Sequence, residues 1–156
     1  MKVSVDIVRE VRIEAPPDEV FPFFTDPERM IVWKAVEATL DPRPGGVFRI
    51  NVTGHDVARG EFVEIDPPRR VVFTFGWEAE GSPEPPGSTT VEVTLVPDGE
   101  GTLLRLVHSG VPDEIRGGSA GGWDHYLRRL TVAAEGGDPG PDPWAIQATV
   151  DDGRSS

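Results

Sequence analysis

Residues 102–130 read TLLRLVHSGVPDEIRGGSAGGWDHYLRRL, and this stretch decides the fold. Leu104, Leu106 and His108 alternate with outward residues, the period of a half-buried strand. The strand stops at Ser109-Gly110. A helix is expected from about Pro112-Asp113-Glu114 to Glu135, with Gly136-Gly137 as its stop. Its apolar stripe is Trp123, Tyr126, Leu127, Leu130 and Ala134, at helical spacing. One histidine thus sits at the inner end of the last strand, close to the start of the last helix. Gly117, Gly118, Gly121 and Gly122 each cost roughly 0.5–1 kcal/mol inside a helix. The first half of that helix is therefore kinked, frayed or pressed against a neighbour.

Upstream, the chain reads as strands joined by tight turns. Residues 3–14 alternate, with Val3, Val5, Ile7, Val11 and Ile13 on one face. Arg9 shares that face, so either a bulge turns it out or it points into a polar interior. Ala15-Pro16-Pro17-Asp18-Glu19 opens one short helix and Thr25-Asp26-Pro27-Glu28 a second. Six strands are then expected. They run from Val36 to Leu40, Val47 to Thr53, Val57 to Ile65, Val71 to Trp77, Thr89 to Leu95 and Thr102 to Ser109. Glu78 to Gly87, rich in Pro, Gly and Glu, reads as an exposed loop. Short turns between successive strands imply an antiparallel meander. The fold class is α+β: a curved antiparallel sheet of about seven strands around a long C-terminal helix, with two short helices after strand one. That is the helix-grip arrangement. Residues 1–137 form one domain, and residues 138–156 a loose tail with Trp144 and Ile146 as a docking point.

The chain has 156 residues, long enough to bury a sizeable core. Its net charge of −12 repels phosphate backbones and anionic lipid, which argues against nucleic acid and membrane partners. With no cysteine there is no thiol nucleophile and no disulfide. Three scattered histidines (His55, His108 and His125) lack metal-ligand spacing, so no metal and no cofactor is expected. No secretory leader or membrane-length apolar run appears, and the expected location is cytoplasmic.

Several motifs occur in order. They are Ala15-Pro16-Pro17-Asp18-Glu19-Val20-Phe21, Thr25-Asp26-Pro27-Glu28 with Trp33, and Pro44-Gly45-Gly46-Val47-Phe48. Residues 60–71 (GEFVEIDPPRRV), Gly101-Thr102, His108-Ser109-Gly110 and Gly122-Trp123 complete the set. Over about residues 5–135 the chain resembles the SRPBCC superfamily, the START and birch-pollen-allergen-like helix-grip proteins. Within it the chain is similar to bacterial homologues of the activator of the heat-shock-protein-90 ATPase. The resemblance implies the fold. For function it implies a range, because the superfamily includes lipid carriers, hormone receptors and polyketide cyclases, and fold alone does not choose among them.

His108 faces inward, as a histidine satisfied by backbone or Ser109 or as a polar anchor for a ligand. His125, with Asp124, Arg128 and Arg129, is expected on the solvated side of the helix. Arg59 and Glu61 are either exposed or form a charge pair inside a pocket. The first reading is a small-molecule binding domain, not an enzyme, with an apolar cavity between sheet and C-terminal helix. Its ligand would be hydrophobic or amphipathic. The candidate ligand-binding residues are His108, Trp123, Tyr126, Trp77, Phe48, Arg59, Trp33 and Phe75, with Arg9 as another anion anchor. The alternatives are a cyclase- or hydrolase-like enzyme using a polar pocket residue as general acid or base, and a chaperone-interaction module. The protein is expected to be a monomer or homodimer.

Overall fold

A computed structural model describes residues 6–145. The readings at Val3, Val5 and Ile146, and the tail beyond, lie outside the described residues. Strand β1 (Ile7–Ile13) is followed by α1 (Pro17–Val20), α2 (Pro22–Thr25) and α3 (Pro27–Trp33). Strands β2 (Glu37–Leu40), β3 (Val47–Asn51), β4 (Val57–Asp66), β5 (Arg70–Phe75), β6 (Thr89–Asp98) and β7 (Gly101–Ser109) come next. Helix α4 (Asp113–Ala134) follows. The sheet has the order β1-β7-β6-β5-β4-β3-β2, every neighbouring pair antiparallel. The meander thus runs β2 to β7, and β1 returns to pair with the last strand. This is the α+β helix-grip fold that the alternation implied.

The first short helix is divided in two at Pro22. Proline has no N–H to continue the ladder, so the chain begins a new turn there. Asp26 caps α3, its side chain accepting from Glu28 N at 3.0 Å.

Alternation along each strand delivers one face to the core. Phe48, Ile50, Phe62, Phe73, Val91, Val93, Leu104 and Leu106 are all buried there, against Trp123, Tyr126, Leu127 and Leu130 of α4. Each such side chain contributes about 1.5–3 kcal/mol by leaving water. Thr102 Oγ1 donates to Ala15 O at 2.7 Å and ties the β1–α1 corner to β7.

Arg9 follows neither alternative offered by the sequence. The β1–β7 register is unbroken from Ile7↔His108 to Ile13↔Thr102, so no bulge turns Arg9 out. Because β1 is an edge strand, its mid-strand side chain meets the flank of α4. There Arg9 Nε pairs with Asp124 Oδ1 at 2.5 Å.

Candidate functional site

A recess of about 650 Å³ opens between α4 and the sheet. Phe75 and Trp77 form one wall, and Ile115, Gly118, Gly122, Trp123 and Tyr126 of α4 form the other. Val52 and Val57 line it further along, His55, Asp56 and Glu78 contribute polar groups, and Trp144 covers part of it. The helix residues lie at i, i+3, i+7, i+8 and i+11, one continuous face. An added Cβ would meet nothing within 4 Å at Gly117, Gly118, Gly121 or Gly122. The glycines are therefore not there to admit a close neighbour, and α4 is one unbroken helix through them. At Gly118 and Gly122 the missing side chains leave the recess open.

At one end of the recess lies a buried polar chain centred on His108, which is 1% exposed. Trp123 Nε1 lies 3.0 Å from His108 Nδ1. An indole N–H can only donate, so Nδ1 accepts and the ring proton sits on Nε2. That nitrogen faces Thr89 Oγ1 at 2.8 Å and Glu84 Oε2 at 3.2 Å. Thr89 Oγ1 also lies 2.6 Å from Glu84 Oε2 and 2.8 Å from Phe75 O. The second carboxyl oxygen, Glu84 Oε1, is buried with no hydrogen-bond partner among the described residues. His108 is thus held by side chains of β6, α4 and the loop after β5, not by Ser109.

Residues 78–87 are mostly exposed, as expected, but Glu84 among them is 0% exposed. The loop folds back on β5, with Trp77 N donating to Glu84 O at 2.7 Å. Gly76 permits this approach: a Cβ there would lie 1.8 Å from Pro85 O.

Lys34 is the second buried polar group. It follows α3, where its backbone N–H closes the helix on Met30 O. Its side chain is 6% exposed and lines the recess. The ammonium lies 4.3 Å from the Tyr126 ring centroid, 4.6 Å from Trp123 and 6.0 Å from Phe75. Among the described residues it has no hydrogen bond and no ion pair. Burial lowers it from its ordinary 10.5 to about 7, with the field of Asp142 acting weakly the other way. The ring faces also favour the cation.

A third cluster lies outside the first two. Asp142 accepts from Tyr126 Oη at 2.6 Å and from Trp144 N at 3.1 Å, and lies 2.9 Å from His125 Nε2. Burial alone would raise this carboxyl, but the hydrogen bonds from Tyr126 and His125 outweigh it and hold it below the ordinary value. Burial and the bond to Asp142 together push the Tyr126 phenol far up. His125 stacks on Trp144 at 3.9 Å, which corrects its assignment to the solvated side. Arg129 is likewise covered. It donates to Trp33 O at 3.0 Å and Gly140 O at 2.9 Å, joining α4 to the end of α3 and to residues after α4. Trp144, expected as a docking point of the tail, packs on His125 and Tyr126, whereas residues 138–143 were expected to be loose.

The structure brings His108, Trp123, Tyr126, Trp77 and Phe75 together around the recess. Phe48 lies in the core, stacked on Phe73 at 4.1 Å. Trp33 is also in the core, its Nε1 donating to Phe23 O at 2.9 Å. Arg59 sits on the outer side of β4 and pairs with Glu78 at 3.1 Å, where Arg49 also binds and lowers the Glu78 carboxyl. Lys34, Glu84 and Thr89 were not among the sequence candidates. Thr89 falls on the inward face of its strand by alternation, so its burial was legible; no local signal marks Lys34 or Glu84.

A family model described as activator of Hsp90 ATPase homolog 1-like protein matches residues 14–135. The chain belongs to this family. An AHSA1-like protein of Rhizobium etli, solved in solution, is 50% identical; the match covers 92% of this chain and 89% of that one, with a TM-score of 0.73. DynU16, a protein of the dynemicin biosynthetic locus, is 26% identical over 86% of this chain and 48% of its own, with a TM-score of 0.74. An uncharacterised protein of Schizosaccharomyces pombe (strain 972) is 28% identical over 132 residues, 81% of this chain and 36% of that protein. The chain therefore spans about a third of the length of this curated relative. The AHSA1-like assignment agrees with the resemblance carried by the motifs. Among the described residues no helix is long and apolar enough to cross a membrane, and no cluster of three metal-ligating side chains occurs.

Proposed function

We propose that this AHSA1-like domain binds a small hydrophobic or amphipathic molecule in the recess between α4 and the sheet. The observation that carries this reading is the glycine face of α4. Glycine in a helix interior costs up to about 1 kcal/mol relative to alanine. Nothing near Gly118 or Gly122 requires it, and both border a recess walled by Phe75, Trp77 and Trp123. Its volume of about 650 Å³ falls in the range of small-molecule sites. A chain selected for stability alone would fill that face.

Gly122→Leu tests the reading with the uncharged fluorescent probe N-phenyl-1-naphthylamine. The variant is expected to melt no lower than the parent and to bind the probe at least tenfold more weakly. Unchanged probe affinity in the folded variant would remove the recess as the binding site. A second reading, an enzyme with Lys34 as general base, is favoured by the lowering of Lys34 to about 7 in a recess open to a substrate. Recovery of a co-purified ligand unchanged after incubation would decide against turnover.

A further inference from the structure

Lys34 is a buried amine with no carboxylate in contact. Arg9, by contrast, pairs with Asp124, and Arg129 donates to the carbonyls of Trp33 and Gly140. Lys34 is 6% exposed, borders the recess and has three ring faces around its ammonium, and Asp142 acts on it through its field without an ion-pair contact. Removing an ammonium from water without a counter-ion is costly, and cation–π contact returns only part of that cost. A methionine would fill the same volume with no such penalty. A missing counter-ion that arrives with the ligand resolves the mismatch.

Resting on the proposed recess, we infer that its ligand is an amphipathic monoanion whose carboxylate-class head seats on Lys34 Nζ. The apolar body lies against Phe75, Trp77 and the Gly118–Gly122 face of α4. The surroundings restrict the charge to one. Asp56 borders the recess, Glu78 there is already paired with Arg49 and Arg59, and the whole chain carries −12. A polyanion such as a nucleotide would be repelled by Asp56 and the net charge, whereas a single charge carried in by an apolar body is repelled least. The arrangement also orders the ligand, head inward at Lys34 and tail along the aromatic wall.

Two probes separate the head from the body. N-phenyl-1-naphthylamine and 8-anilinonaphthalene-1-sulfonate share one apolar skeleton and differ in a sulfonate. Each is titrated into the parent protein, Lys34→Met, Lys34→Arg and Gly122→Leu. Lys34→Met should weaken the sulfonate probe at least tenfold and change the neutral probe less than threefold. Lys34→Arg, which keeps the charge, should retain the sulfonate preference. Gly122→Leu should weaken both. If Lys34→Met alters both probes by the same factor, or leaves the sulfonate probe unchanged, Lys34 is a structural lysine and the inference falls while the recess stands. Sulfonate binding that survives Gly122→Leu overturns it as well, because that probe then sits elsewhere. Failure of both probes to bind the parent protein overturns the recess reading, and the inference with it.

Discussion

His108 and Lys34 are both buried polar side chains on the same recess, yet the fold treats them differently. His108 has Trp123 on one ring nitrogen and Thr89 with Glu84 on the other. Lys34 has aromatic faces and no polar partner among the described residues. A saturated buried group holds structure together, because its neighbours depend on it. An unsaturated one weakens the fold and persists where something outside the fold completes it. The contrast is between the two ring nitrogens of His108, both paired, and the Lys34 ammonium, although Glu84 Oε1 beside His108 is itself unpaired among the described residues. It also converts into stability measurements with opposite signs.

The largest effect is expected at His108. His108→Ala removes the acceptor of Trp123 Nε1–H and the donor facing Thr89 and Glu84, and opens a void beside Phe75. Each buried partner left unpaired costs about 1–3 kcal/mol, and the void adds to that. Denaturant unfolding measures it, and affinity for a neutral apolar probe should stay within about threefold. A small loss of stability with a large loss of affinity would reverse the assignment and make His108 the ligand anchor.

Lys34→Met should move the other way. The lysine's value of about 7 in the folded chain lies below its ordinary 10.5. At low pH both states carry the charge, and the native state bears the full penalty of burying it. Between about 7 and 10.5 the unfolded chain binds a proton that the native chain does not, so native stability rises with pH. Above 10.5 both are neutral and the penalty is gone. The variant should therefore be more stable than the parent by about 2–4 kcal/mol at pH 6, with the gain vanishing near pH 10.5. Unfolding of the two proteins side by side at pH 6, 8 and 10 checks the sign. A variant less stable than its parent at pH 6 would mean that the aromatic faces fully satisfy the ammonium.

How much of this was legible follows from the same contrast. Strand alternation showed His108 and Thr89 facing inward, and helical spacing placed Trp123 and Tyr126 on the inner stripe. Period and burial are local properties, so the sheet, its meander order and α4 could be read. Partners are not local. Glu84 reaches His108 because Gly76 lets the loop after β5 fold back, and nothing in a Pro- and Glu-rich stretch announces that. Lys34 is a single lysine after a helix, a type that is solvated in most proteins. His125 and Arg129 looked solvent-facing because their cover, residues 138–145, reads as tail. Arg59 was mistaken for a pocket candidate through its alternation with Val63 and Ile65. Arg59, Glu61 and Val63 are exposed, and a bulge between Phe62 and Glu64 reverses the alternation, so that Ile65 packs against the core while Arg59 does not.

The Asp142 cluster is an intermediate case, saturated but near the surface. Tyr126→Phe deletes the donor 2.6 Å from Asp142 Oδ2 and should cost about 1–2 kcal/mol at neutral pH. Asp142 is held below its ordinary 3.8, so its contribution is present above that value and is lost as pH falls through the lower folded one. The difference between parent and variant should therefore narrow below about pH 4, which acid unfolding curves would show. A constant difference down to pH 2 would mean that the phenol acts by packing rather than through the carboxylate.

The smallest effect separates the two kinds of glycine in α4. Gly121 lies in open space and is not a lining residue of the recess, whereas Gly122 lies in equally open space and lines it. Helix propensity treats them alike, so Gly121→Ala and Gly122→Ala should each stabilise the protein by about 0.5–1 kcal/mol. Both should also slow hydrogen exchange across residues 116–122, which in the parent should exchange faster than Leu127 to Ala133. Their effects on binding should part. Gly121→Ala should leave the affinity for a neutral apolar probe unchanged, and Gly122→Ala should reduce it a fewfold by narrowing the recess. Equal gains in stability with unequal losses in binding would identify Gly122 as a residue kept for the ligand at the helix's expense. Equal affinities would show that the glycines serve mobility of the whole segment, and the wall they leave open would then have no part in recognition.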